Sequence, residues 1–529
     1  MSAPEEVQPP HARRHPDLHV HIPTPRIPPS EMLTHAARAS LRAMCLGFGI
    51  RSGFLLLVKL IAVLRRKTSI RSAIRRSLFH EETLRFAAFF GSFAFIWKLV
   101  NNIMVHLRQK EDKWNGFVAG SLAGLSILAE ESGRRRAIAQ QLAVRACQCI
   151  YNGLKSRGIF HFHMGDTLIF ALSTAQIMYS YVVQPHTIPK VYYNFIVSIS
   201  PIPDDILKLV RRNVKEIPIP SIDFIQAARA HHGTARALSV ASELSSLPSI
   251  IPCDIVHPST SSCTQHGLRT FFRVVIRILP VHLGLNVVPM ILLKHKDFIK
   301  TPLAVVQKAI SNSAVSTTFL ATFTWLYMTL ACGTRRLADF GLMKQDHRYN
   351  YWLIGLLASS AILIEDKRRR SELAMYVVPR GLVALYTVMY ERKWMIRIPH
   401  FDLGMFSVAM GVLIAFYQTE PTAMSSLIYK ILKSIDSILE DGIFFSNSAS
   451  KALPAEPSPE SADVYTDSVD VISVEVLAPV IGGLESRDDE NDSAAEVESD
   501  TPSAEESLKI ASFSEDEDAT TAREGAARP

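Results

Sequence analysis

Apolar residues along this chain gather into repeated runs, at 86–105, 115–129, 137–152 and 166–183, and again at 315–332, 351–364, 373–390 and 403–417. These runs lack a polar face as wide as a surface helix needs. Several are shorter than the ~20 residues that cross a bilayer, and some carry polar side chains. Basic residues crowd the short loops between them, at Arg65-Arg66-Lys67, Arg134 to Arg136 and Arg368 to Arg370. Such crowding marks the ends of membrane spans. The pattern predicts an all-α, polytopic helical membrane protein; a large soluble helical core is the competing reading. Two further apolar stretches are ambiguous. Residues 41–64 carry Arg42, Arg51 and Lys59 and run into R-R-K-T-S-I-R-S-A-I-R-R, and residues 271–293 carry Arg273, Arg277, Pro280, His282 and Pro289. Each fits a helix lying in the interface plane.

The pattern also repeats. At an offset of 235, Gly120 falls on Gly355, Leu122 on Leu357, Ile127 on Ile362, Glu130 on Glu365, Arg134 on Arg369, Arg145 on Arg380 and Arg157 on Arg392. At 236, Tyr181 and Pro185 fall on Tyr417 and Pro421. The matches define two repeats, 37–200 and 264–432, joined by a polar, proline-containing linker at 201–263. Each repeat ends one run with two acids and an arginine cluster. Glu130 and Arg134, Glu131 and Arg135, Glu365 and Arg369, and Asp366 and Arg370 are all spaced i,i+4, which adds only ~0.2–0.5 kcal/mol per helical pair. Arg134, Arg135, Arg136, Arg368, Arg369 and Arg370 read as topology markers, or as contacts for anionic lipid or phosphate. If both clusters lie on one side, an even number of spans separates them. Five candidates do, and 271–293 is the weakest, so four spans per repeat plus one interfacial or re-entrant helix are expected.

Charge separates the ends from this middle. Residues 451–529 hold 21 Asp/Glu and 5 Lys/Arg, a net −16 in a chain that is +7 overall, which leaves +23 on residues 1–450. So acidic a tail with few aromatics cannot bury enough surface to offset chain entropy. Residues 433–529 therefore read as a disordered tail able to recruit protein partners, and the Pro- and His-rich residues 1–36 as a disordered N-terminus. No secretory signal core opens the chain, and its early acids argue against a mitochondrial transit peptide. The six cysteines are then not expected to form a disulfide framework.

Gly116, Gly120 and Gly124 form G-x-x-x-G-x-x-x-G within an apolar run, a ridge that a second helix can approach closely. Tyr351, Gly355 and Ser359 take its place in the second repeat. The ridge reads as packing within the chain before dimerisation. His161, His163 and Asp166, with His400 and Asp402 in the second repeat, could hold a metal or relay protons; helix-end chemistry explains them equally well. Cys253, His257, Cys263 and His266, spaced C-x3-H-x5-C-x2-H, supply the four N/S ligands zinc takes in structural sites, though in no common finger spacing. The alternative is a capped loop entering the second repeat. No phosphate loop, nucleophile elbow or H-E-x-x-H is present. Basic charge sits beside apolar spans and not on an Arg/aromatic face, so no nucleic acid partner is expected.

Cys253…His257-Pro258…Cys263, with I-L-I-E-D-K-R-R-R-S-E-L-A-M-Y, resembles the cysteine-rich N-terminal domain of the transmembrane protein 135 family. F-F-G-S-F-A-F-I-W-K, V-A-G-S-L-A-G-L-S, H-M-G-D-T-L-I-F-A-L-S-T-A and P-K-V-Y-Y-N-F-I resemble that family's other half, in reversed order. The G-x-x-x-G run is also similar to the mitochondrial inner-membrane translocase channel superfamily. The resemblance implies a multi-pass organelle membrane protein, peroxisomal first and mitochondrial second. It implies a non-enzymatic role in lipid or metabolite homeostasis, no catalytic residue and no cofactor. A channel or translocase component, or a scaffold recruiting partners through the acidic tail, are the alternatives.

Overall fold

The computed structural model describes residues 27–64, 74–75, 78, 80–293, 302–342, 345–396 and 398–441. Two compact units divide the chain. The second, Leu477–Pro529, lies outside the described residues, as do 1–26 and 442–476. Among the described residues there are sixteen α-helices, four short 3-10 segments and no strand.

Helices α1 (Pro29–Leu64) and α2 (Glu81–Arg108) form an antiparallel hairpin. Gly47 lies against Phe90, and Gly91 against Met44. His80 caps α2, and Glu81 and Glu82 in its first turn suit the positive end of the helix dipole. Helix starts at Pro29, ahead of the expected boundary at 36, because Met32, Ala36, Ala39 and Ala43 form a buried stripe. Helix α3 (Lys113–Ala123) is capped by Asp112, whose carboxylate accepts from the Trp114 N–H at 3.1 Å. It tightens into a 3-10 segment at Gly124–Ala129. Eleven α residues and six 3-10 residues together reach about 28 Å, close to a hydrocarbon core. Helices α4 (Ser132–Ser156), α5 (Gly165–Val183) and α6 (Lys190–Ile199) complete the first repeat.

The second repeat comprises α11 (Cys263–Leu293), α12 (Pro302–Asp339), α13 (Arg348–Ala358) with a 3-10 segment at Ser359–Ile364, α14 (Lys367–Glu391), α15 (Phe401–Thr419) and α16 (Ser426–Asp441). Its α13, 3-10 segment and α14 fall 235 residues after α3, Gly124–Ala129 and α4, with identical lengths. Helix α15 falls 236 after α5. The correspondence extends to backbone torsions, since Met164 and His400, which start α5 and α15, both take positive φ, 58° and 55°. Helices α11 and α12 form a second antiparallel hairpin, tied by His282 Nδ1 to Thr317 Oγ1 (2.9 Å) and by Asn286 donating to Ser313 Oγ (2.8 Å).

The repeats are not spatial halves. Helix α5 packs on α13 and α14, and α15 packs on α3 and α4, so each repeat gives a helix to the other. The helices that carry the two ambiguous stretches, α1 and α11, run lengthwise beside α2 and α12. Four helices among the described residues are long and apolar enough to cross a membrane: Glu81–Arg108, Val306–Asp339, Arg369–Glu391 and Phe401–Thr419. By length and composition that is one in the first repeat and three in the second, against four expected in each. The split of α3 and α13 into short pieces, and the polar side chains of α4, account for part of the difference.

The expected linker is a helical insert. Helices α7 (Asp204–Val214), α8 (Ser221–Ala230), α9 (Ala235–Glu243) and the single turn α10 (Cys253–Val256) fill it. Its prolines start helices: Pro203, Pro220 and Pro252 each precede one, with φ between −59° and −65°. Ile206, Val210, Phe224, Ala228 and Ile255 share a core with Tyr327 and Met328 of α12. The expected tail likewise loses its first residues to α16, whose Leu432 and Leu439 are buried. Its Asp436 accepts from Lys98 of α2 at 2.6 Å.

Candidate functional site

The span ends written twice in the sequence are structural nodes. Glu130 stands where the 3-10 segment ends, and Arg134 lies in the first turn of α4. Arg134 reaches Glu130 at 3.0 Å and Glu82 at 2.6 Å, and Glu82 also takes Arg51 of α1 at 2.5 Å. Two acids and two bases thus meet out of water and sum to zero. In the second repeat Asn286 and Thr317 occupy the places of Arg51 and Glu82. There Arg369 lies 3.6 Å from Glu365 and donates to the Asn312 carbonyl. Arg135 turns to Asp402 at the start of α15 (2.6 Å), and Arg370 to the Glu365 and Leu363 carbonyls. Among these arginines Arg136 is exposed, whereas the side chain of Arg368 lies outside the described residues. The lipid-contact reading therefore narrows, because four of the six arginines are committed to internal partners. Arg51 had no sequence signal beyond being a charge in an apolar run.

The glycine ridge faces α15. A side chain at Gly120 would meet the Met410 carbonyl oxygen at 2.6 Å and the Gly411 Cα at 3.0 Å, and one at Gly124 would meet the Ser407 Cα at 2.5 Å. Gly116 faces Ala415 and Gln418. In the second repeat Gly355 faces Ala175 and Met178 of α5, and Ser359 is buried, donating to the Gly355 carbonyl.

Helix α4 carries a polar stripe: Arg134, Gln141, Arg145, Gln148 and Asn152 follow one face, the first three buried and the others half-buried. Arg145 donates to Glu372 of α14 at 2.6 Å and to Gln148 at 3.0 Å, and Asn152 donates to the Ala423 carbonyl. The matching register of α14 holds Arg369, Tyr376, Arg380 and Thr387. The Arg380 guanidinium sits 3.8 Å over the Tyr376 ring and 5.0 Å over Tyr192. At the helix starts, His161, His163 and His400 are exposed, and Asp402 is held by Arg135. Outside the spans, hydrogen bonds from Arg108 hold the Asp112 carboxyl below its ordinary range.

Cys253, His257 and Cys263 come together, and the fourth member of their group is Cys332 of α12; their candidate ligand atoms all lie within 4.8 Å of one another. His266 is not in the group. It lies on the first turn of α11 with its ring stacked on His257, centroids 4.6 Å apart. His257 is buried, and its Nδ1 pairs with the Thr260 carbonyl at 2.8 Å.

Fold and sites together define an all-α, multi-pass helical membrane protein. Residues 37–148, which cover α2, α3, most of α1 and most of α4, match the Tim17/Tim22/Tim23/Pmp24 family. The similarity to the inner-membrane translocase superfamily thus extends over most of the first repeat. No solved structure matches the chain.

Proposed function

We propose that this chain is a non-enzymatic channel or translocase component of an organelle membrane, mitochondrial or peroxisomal, and that α4 and α14 line its polar route. The observation that carries the proposal is the buried stripe Arg134, Gln141 and Arg145, which lies inside the Tim17-like region. Ionisable groups are costly in a bilayer and tend to face a bundle interior or a water-filled cavity. Full-length protein in planar bilayers should conduct. Water-soluble thiol reagents should reach Gln141→Cys and Gln148→Cys once Cys147 and Cys149 are replaced, and should block the current. Silent bilayers with unreactive cysteines would overturn the reading.

A second reading, lipid or metabolite homeostasis as the transmembrane protein 135 resemblance suggests, is favoured by one face of α11. Leu268, Phe272 and Ile276 are exposed there beside Arg269, Arg273 and Arg277, around a shallow groove of about 840 Å³. That face suits acyl chains and anionic head groups. Lipid transfer between vesicles, lost in Arg273→Glu/Arg277→Glu and without conductance, would select it.

A further inference from the structure

We propose that Cys253, His257, Cys263 and Cys332 form a structural zinc site that clamps the helical insert onto the second hairpin. The group draws on three places in the chain. Cys253 opens the single turn α10 and His257 follows it as the C-cap residue, Cys263 opens α11, and Cys332 lies 69 residues further on, in the last third of α12. Three cysteines and a histidine from these separate segments converge within 4.8 Å, a set of ligand types that zinc takes in structural sites. A tetrahedral centre with Zn–S bonds near 2.3 Å places sulfurs about 3.8 Å apart, so a small contraction closes the site.

Two further features point inward to a metal. His257 Nε2 is buried without a hydrogen-bond partner of its own. The other ring nitrogen, Nδ1, is paired to the Thr260 carbonyl, the arrangement that fixes a metal-binding imidazole with Nε2 as ligand. Burial of an orphaned imidazole nitrogen costs free energy unless it is bonded. On zinc binding the three thiols release their protons to solvent, and His257 binds as the neutral ring. Zinc with three thiolates carries one negative charge. Arg335, buried one turn beyond Cys332, supplies the opposite sign nearby and also donates to the Ile251 carbonyl at 3.1 Å, two residues before Cys253. Three sulfurs and one imidazole, with His257 and Cys332 buried and Cys253 and Cys263 half-buried, suit a structural ion and leave no open coordination position for catalysis.

The test is elemental analysis of the full-length chain purified in detergent without chelator. About one zinc per chain is expected. Cys332→Ser and His257→Ala should lose it, whereas His266→Ala should keep it. Cobalt substitution should give a tetrahedral visible spectrum with a thiolate charge-transfer band, weakened in Cys332→Ser. Should those variants fail to fold, wild-type protein serves: a strong chelator should lower its melting temperature and added zinc restore it. Retention of zinc by Cys332→Ser with loss in His266→Ala would overturn this ligand set. A wild-type chain that holds no zinc and melts identically with chelator and with zinc would overturn the site. A disulfide between Cys253 and Cys332 in protein purified under argon would do the same.

Discussion

Glu82 is the hinge of the four-charge node, and replacing it by glutamine tests whether the node is held by charge balance. Arg51 and Arg134 both bond the same carboxylate oxygen of Glu82, at 2.5 and 2.6 Å, and their side chains are 0% and 6% exposed. With Glu82 neutral, Glu130 remains as the acid for two guanidiniums, and the node carries an uncompensated positive charge. Breaking a buried pair by removing one partner costs about 3–5 kcal/mol, because a charge is left out of water without its counter-charge. Arg51 is the expendable base, since its Nε and Nη1 already lack partners. Glu82→Gln with Arg51→Met restores neutrality, with Arg134 still on Glu130, and should recover most of the loss. The assay is unfolding of full-length protein in mixed micelles by denaturing-detergent titration, with wild type and both variants compared. If Glu82→Gln costs less than about 1 kcal/mol, or Arg51→Met fails to rescue it, charge balance does not hold the node.

Gly120→Val should destabilise the fold by about 1–3 kcal/mol, because its side chain would press on the α15 backbone. Gly404→Ala, with open space at its Cβ, should be neutral or stabilising in the same thermal assay. Asp112→Asn keeps an N-cap but removes the charge that pairs with Arg108. The Asp112 carboxyl is depressed in the fold, so its contribution is present above its unfolded pKa and fades as pH falls through the folded one. The stability gap between wild type and Asp112→Asn should therefore close on acidification, and a gap that persists would rule out the ion pair as its cause. For the helix exchange, Arg135→Cys/Asp402→Cys should be bridged by a short bifunctional thiol reagent, since the side chains they replace meet at 2.6 Å, whereas Arg135→Cys/Asp166→Cys, the pairing within one repeat, should not.

Periodicity made the helices legible, and the offset of 235 made the repeat legible, since equal lengths of α3 and α13 or of α4 and α14 follow from matching residues. The helices of the insert are hard to read from sequence because its prolines look like linker punctuation, whereas Pro203, Pro220 and Pro252 each stand just ahead of a helix as its N-cap residue. Cys253, His257 and Cys263 stand out by proximity in sequence. Cys332 does not, because it sits in an apolar run and only the folding of α12 against the insert brings it near; His266 looked equivalent because spacing alone does not say which ring faces the sulfurs. Arg51 and Glu82, 31 residues apart on opposite arms of a hairpin, could be paired only once the antiparallel register was known.

The exchange of α5 and α15 was hidden for a different reason. Two copies of one unit offer each helix two similar partners, and hydropathy cannot choose between them; side-chain size can. The ridge Gly116, Gly120, Gly124 meets Ala415, Gly411 and Ser407, small residues at the same four-residue spacing, so the two backbones approach closely along the whole contact. At the corresponding positions α5 offers Tyr179, Ala175 and Ala171. Its tyrosine would stand where Ala415 meets Gly116 and would wedge the helices apart at one end. Helix α13, with Tyr351 in place of Gly116, already has a bulky residue at that end. Divergence of a few small positions between the copies thus sorts the helices across the repeats. The α4–α14 contact, with its Arg145–Glu372 bond, then joins the two repeats beside the exchanged helices, because α4 also packs on α15 and α14 on α5.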